Sequence, residues 1–184
     1  MTPRDFFSRW RVRLGYILGA VLLFLAEPIP CSILLGAAVG AVGLIIRAYA
    51  AGYLHKQDVL TTTGPYAWTR NPLYLGSSIL AIGAAVAMHS WIAAVLILVY
   101  FVVVYSFVMR REEMELRGKH GQAFDAYAAS VPLFFPGFTR ISTSGQASGS
   151  FSWAQYRRNH EYEAPLGFLF LLILLVGIWR WRAL

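Results

Sequence analysis

Long apolar runs, nearly free of charge and separated by short basic clusters, constrain this chain more than any other feature. From Leu73 to Met109 the only ionisable side chains are His89 and the weakly acidic Tyr74, Tyr100 and Tyr105. That length suits two spanning helices with His89-Ser90 at their turn. Residues 14–26 form another run, broken by Glu27-Pro28-Ile29-Pro30, and residues 33–46 a third, which stops at Arg47. These two read as a helical hairpin whose turn carries the prolines. Each is shorter than the ~20 residues of a full span, and flanking Tyr, Ala, Gly and snorkelling Arg residues supply the difference. A last run covers residues 164–179. The expected fold is all-α: a polytopic integral membrane protein of about five transmembrane helices.

Composition excludes the soluble alternative. Hydrophobic residues make up 58% and charged residues 14%, against roughly 25% charged in a soluble domain. The net charge of +7 is explained by basic loops on the cytoplasmic side rather than by nucleic acid. With the N-terminus inside, all of the 16 Lys and Arg residues except Arg180 and Arg182 are cytoplasmic. The N-terminal run resembles a signal peptide in its basic flank, but lacks a small-x-small cleavage site before Glu27-Pro28, so a retained anchor is expected. Cys31 is the only cysteine, so neither an intrachain disulfide framework nor a cysteine-rich zinc site is possible, and no metal is expected.

The chain divides by composition. Residues 1–51 are the N-terminal hairpin and 52–138 a core containing two spans and the cytoplasmic loops. Residues 139–150, rich in Ser and Gly, are a flexible linker, and 151–184 an interfacial helix followed by the last span. Three blocks in the core stand out. In Thr63-Gly64-Pro65-Tyr66-Ala67-Trp68-Thr69-Arg70-Asn71-Pro72-Leu73-Tyr74, Gly64-Pro65 is a turn and Asn71 the N-cap of a helix starting at Pro72. The same helix start, beside Arg70 and two tyrosine hydroxyls, is also an anion site. In Arg110-Arg111-Glu112-Glu113-Met114-Glu115-Leu116, the acids pair i,i+4 as Glu113–Arg117 and Glu115–Lys119 if the helix end is merely solvated. Alternatively, acids at the membrane boundary find their counter-charge in a cationic ligand. In the third block, Phe124, Tyr127, Ala128 and Val131 share a helical face suited to packing.

Gly64-x-Tyr66, Arg70-x-Pro72-x-Tyr74, Glu112-Glu113-x-x-Leu116 and the Phe124 to Val131-Pro132 block together resemble the isoprenylcysteine carboxyl methyltransferases and the related phospholipid methyltransferases. The resemblance runs from about Gly52 to Pro136. It implies a membrane methyltransferase without a Rossmann domain, consistent with the lack of a βαβ pattern or G-x-G-x-x-G. It further implies S-adenosylmethionine as cofactor, S-adenosylhomocysteine as product and a cytoplasmic cofactor site. The acceptor implied is lipophilic and membrane-embedded: a lipid headgroup, a small molecule or a prenylated carboxylate. Carried over, the cofactor contacts fall on Asp58, Val59, Leu60, Thr61, Tyr66, Arg70, Asn71, Pro72, Leu73, Tyr74, Glu112 and Glu113. Asn71, Arg110 and Glu113 become the catalytic candidates, with Arg110 orienting an acidic acceptor or holding a headgroup. The family has His where this chain has Asn71, and often where it has Asp58. An amide cannot carry a proton, so His55, His120 and His160 are candidates for any imidazole role.

Beyond the resemblance, Asn159, His160 and Glu161 form a polar cluster between linker and last span, read either as a lid over the site or as a headgroup-binding segment. Two other classes remain open from the sequence. Sterol reductases are similar in membrane architecture and use NADPH, although Glu112-Glu113 would repel a 2′-phosphate. A non-enzymatic scaffold would bind neither cofactor. The acceptor and the oligomeric state are not legible.

Overall fold

A computed structural model describes residue 15 and residues 17–55, 59–137 and 149–184. Residues 17–25 form helix α1. It is followed by α2 (Pro30–Tyr53), a 3-10 turn (Gly64–Ala67), α3 (Pro72–Met88), α4 (Trp91–His120), α5 (Gln122–Ser130), α6 (Trp153–Arg158) and α7 (Glu163–Arg182). No strand occurs among the described residues. Helices α2, α4 and α7 are long and apolar enough to cross a membrane. Helix α3, with 17 residues, is apolar and about a turn shorter. The protein is an all-helical membrane protein. The Ser/Gly linker expected over 139–150 lies outside the described residues, except for Gly149 and Ser150.

Local chemistry sets the helix boundaries. Pro30 opens α2, and Ser32 Oγ accepts the Ile29 N–H at 3.1 Å. Helix α3 ends where His89 adopts a left-handed conformation (φ 50°), and Ser90 caps α4 by accepting the Ala93 N–H at 3.4 Å. The turn therefore falls on His89-Ser90, as the sequence indicates. Helix α4 continues through Arg110 as one rod of 30 residues, about 45 Å long, and so carries its acids out of the apolar zone. Helix α2 also runs on, past Arg47 to Tyr53. The apolar run of the sequence stops at Arg47, but the helix does not, because that guanidinium has partners inside the fold.

Helix α2 packs most extensively on α3. The glycines explain how closely these two helices approach. A Cβ on Gly43 would stand 2.6 Å from the carbonyl oxygen of Gly76, and one on Gly83 2.6 Å from the backbone nitrogen of Gly40. The two backbones thus touch directly, the small-residue packing that joins helices in lipid. At one end of the bundle Leu22, Ala26, Ile33, Ala87, Met88, Ala93 and Leu175 form an apolar core. A second core, of Leu60, Phe124, Tyr127 and Val131, lies at the other end. Val131 belongs there with Phe124, Tyr127 and the partly buried Ala128, as their shared face predicted.

Candidate functional site

The second core carries the site. Tyr127 donates its hydroxyl to the Tyr66 carbonyl at 2.7 Å, and Thr69 Oγ1 donates to the Phe134 carbonyl at 2.8 Å. Arg70 N–H reaches the Pro132 carbonyl at 2.9 Å, and Gly137 N–H the Trp68 carbonyl at 2.9 Å. The loop from Leu60 to Asn71 is thereby fixed to the segment after α5. Burial raises the pKa of both Tyr66 and Tyr127 far above the ordinary tyrosine value; for Tyr66 the neighbouring Tyr127, Glu112, Glu161 and Tyr74 add to it. Both phenols are neutral hydrogen-bonding groups at physiological pH.

Between this loop and α4 lies a cavity of about 420 Å³, within the range of small-molecule sites. Val59, Leu60, Thr61, Tyr66, Arg70, Asn71, Pro72, Leu73, Tyr74, Glu112 and Glu113 all line it. Residues far apart in sequence are thus brought to one wall. Asp58 lies outside the described residues. Arg110 is exposed and does not line the cavity, because it falls off the α4 stripe formed by Met109, Glu112, Glu113, Leu116, Lys119 and His120. His55 and His120 reach the cavity and His160 does not. Arg47, Lys119, Phe124 and Tyr127 were not expected there. The 3.6-residue period of α4 points to Lys119; nothing local points to Arg47.

The charges are paired differently from the sequence expectation. Arg70 forms an ion pair with Glu113 across the two blocks, in place of the Glu113–Arg117 pair. Arg111 takes Glu115 at 2.9 Å and Arg117 takes Asp125 at 2.7 Å, in place of Glu115–Lys119. Glu113 therefore has its cation within the fold. Glu112 accepts the Tyr74 hydroxyl at 2.6 Å and has no ion pair among the described residues, so it is the uncompensated acid of the cavity. Arg70 Nε is buried with no hydrogen-bond partner among the described residues, an orphaned donor that a ligand anion would satisfy. Asn71 stands at the N-cap of α3, but its side chain makes no cap hydrogen bond; Nδ2 instead donates to the Leu133 carbonyl at 2.9 Å. The Asn71 amide is thus engaged in holding the loop.

The C-terminal cluster folds back against α2; Asn159, His160 and Glu161 do not line the cavity, but Glu161 holds Arg47, which does. Asn159 Nδ2 donates to the Ala51 and Leu54 carbonyls at 2.8 and 3.0 Å, closing the C-terminus of α2. Glu161 is buried against Arg47. His160 is exposed, with Nδ1 3.0 Å from the Tyr162 hydroxyl. Among the described residues no three His, Cys, Asp or Glu side chains group closely enough to hold a metal ion.

A helical membrane bundle with a polar, mixed-charge cavity at one end is the class these observations define. The chain belongs to the phospholipid methyltransferase family, whose model matches residues 14–123; the match begins well before the Gly52 to Pro136 stretch that carries the motif resemblance. It is 33% identical over 105 residues to the nickel-cobalt-cadmium resistance protein NccN of Alcaligenes xylosoxydans xylosoxydans, covering 56% of this chain and 47% of that protein. It is 27% identical over 161 residues to the cobalt-zinc-cadmium resistance protein CzcN of Cupriavidus metallidurans, covering 82% of this chain and 71% of that one. The chain thus spans about half the length of the first of these relatives. No solved structure matches significantly.

Proposed function

We propose that the chain is a methyltransferase that uses S-adenosylmethionine to methylate a lipophilic acceptor embedded in the membrane, with the cavity beside Tyr74 and Glu112 as its cofactor site. The observation that carries this reading is the juxtaposition of an uncompensated acid, Glu112, with an orphaned buried donor, Arg70 Nε. A ligand bearing both an ammonium and a carboxylate satisfies the two together. Glu112 would hold the ammonium or the ribose hydroxyls, and Arg70, fixed by Glu113, would receive the carboxylate. Leu60, Met109, Leu116 and Phe124 offer apolar walls to the adenosine. When bound, the cofactor supplies an electrophilic methyl group on a cationic sulfur. The chain's own residues contribute position and exclusion of water. A carboxylate acceptor needs no base, whereas an ammonium acceptor must first lose a proton. His55 and His120 line the cavity and are the groups available for that step, since Asn71 can accept no proton.

The distribution of basic residues supports a cytoplasmic N-terminus and cofactor site. Residues 52–138 would form the catalytic core and 151–184 an appended interfacial helix and span. The two relatives are named for resistance to divalent metals; alteration of a membrane lipid is the form in which this chain would contribute to such a process. The test is incubation of the purified chain with radiolabelled S-adenosylmethionine and a lipid extract of its host membrane, followed by identification of the labelled product. Label in a lipid fraction supports the reading. An unlabelled extract, in the presence of bound cofactor, would remove the membrane acceptor.

A further inference from the structure

Arg47 lines the cavity just described and also a second one of about 500 Å³, inside the bundle between α1, α3, α4 and α7. Leu22, Leu80, Ala84, Phe168 and Leu171 make most of the second cavity's wall apolar, and Ser77, Arg47 and Glu163 supply its polar groups. From Ser77 to Ala84 helix α3 rises about 10 Å, so an apolar chamber of that depth has its polar end at the first cavity.

The guanidinium there is held in a fixed orientation. Arg47 Nε and Nη2 donate to the two carboxylate oxygens of Glu161 at 2.6 and 3.0 Å, and Nη1 donates to Ser77 Oγ. Glu161 is 6% exposed. Its segment is seated independently by the two Asn159 bonds to the end of α2. These contacts engage three of the five guanidinium N–H groups. A staple joining the C-terminal segment to α2 would be complete with Asn159 alone and would not need a cation on the wall shared by both cavities.

We propose that Arg47 binds the anionic group, phosphate or carboxylate, of a lipid whose tail occupies the inner cavity, and that Glu161 is the positioning residue that aims it. The proposal rests on the methyltransferase reading for its consequence: the same lipid, or its neighbouring group, is presented to the cofactor cavity. Because Glu161 offsets the charge of Arg47, recognition is by directed N–H groups rather than by net charge. Loss of the Glu161 charge therefore tightens anion binding while losing aim.

Native mass spectrometry of the full chain in detergent tests this with phosphatidic acid, oleate and, as the uncharged control, oleyl alcohol. Arg47→Gln/Glu161→Gln, which leaves no lone buried charge, should reduce the anionic adducts at least tenfold and leave the oleyl alcohol adduct within twofold. Whichever anion loses more identifies phosphate or carboxylate. The exchanged pair Arg47→Glu/Glu161→Arg should recover thermal stability without recovering the adduct. Glu161→Gln should lower both KM and kcat for methyl incorporation into host lipid, with S-adenosylhomocysteine affinity within twofold of wild type. Anionic adducts unchanged in the double variant, or restored by the exchanged pair, would overturn the proposal. Wild-type chain that binds no S-adenosylhomocysteine would refute the cofactor reading instead, while the adducts still report on Arg47.

Discussion

Tyr74 on α3 donates its hydroxyl to Glu112 Oε1 on α4 at 2.6 Å, joining the two motifs that form the cavity. The bond fixes the carboxylate in one rotamer and leaves its second oxygen for a ligand. Tyr74→Phe should therefore weaken S-adenosylhomocysteine binding by about 0.5–1.5 kcal/mol, the net value of one hydrogen bond. Calorimetry on the chain in nanodiscs measures it. Affinity equal to wild type would mean that Tyr74 does not position Glu112.

The Arg70–Glu113 pair predicts a split between stability and binding. Arg70→Gln strands a partly buried carboxylate and should lower the stability of the chain by about 1–3 kcal/mol. Adding Glu113→Gln should recover part of that loss, since the two sites are coupled, but not the cofactor affinity, which needs the guanidinium. Thermal unfolding and calorimetry on the single and double variants separate the two effects. Full recovery of both would reduce the pair to a structural contact.

Alkaline pH tests the buried phenols. Burial raises the folded pKa of Tyr66 and Tyr127 above the ordinary 10.0. The folded state thus holds those protons more tightly than the unfolded one, and the associated stability is present below about pH 10 and falls as pH climbs beyond it. Ultraviolet difference absorbance should show these two tyrosines ionising only as the chain unfolds. Their ionisation with the exposed tyrosines, in a folded chain, would contradict the described burial.

Backbone contact between α2 and α3 makes a fourth prediction. Gly43→Ala places a methyl against the Gly76 carbonyl and should destabilise the bundle by roughly 1–3 kcal/mol. Gly177→Ala, where a Cβ meets nothing within 4 Å, should be near neutral. Equal thermal stability of the two variants in detergent would argue against direct contact.

What the sequence disclosed depended on how local the cause was. The break at His89-Ser90 was legible because a left-handed residue and a hydroxyl cap follow each other in the chain. The packing role of Phe124, Tyr127 and Val131 was legible from their period. The continuation of α2 past Arg47 was expected from its flanking residues, but the partners that hold Arg47 there, Ser77 and Glu161, lie on another helix and in the C-terminal segment, where nothing local to Arg47 announces them. Of the two readings left open for the acids, the i,i+4 pairs do not form: Glu113 takes Arg70, from the loop before α3, rather than Arg117 on its own helix. The close approach of α2 and α3 was not anticipated, although Gly36-x-x-x-Gly40 is a small-residue pattern of the kind that permits it. The described residues carried over from the motifs all line one cavity, whereas Arg110, singled out beside them, lies on another face of α4.

In the proposed site, the cavity between the Val59 to Tyr74 segment and α4 binds S-adenosylmethionine through Glu112. Titration calorimetry of S-adenosylhomocysteine into wild-type and Glu112→Gln chain in nanodiscs tests it most directly. Saturable wild-type binding is expected, with a loss of about 1.5–3 kcal/mol in the variant, the range for a hydrogen bond to a charged group, or roughly 10- to 150-fold in Kd. Wild-type binding with an unchanged Kd in Glu112→Gln would contradict it.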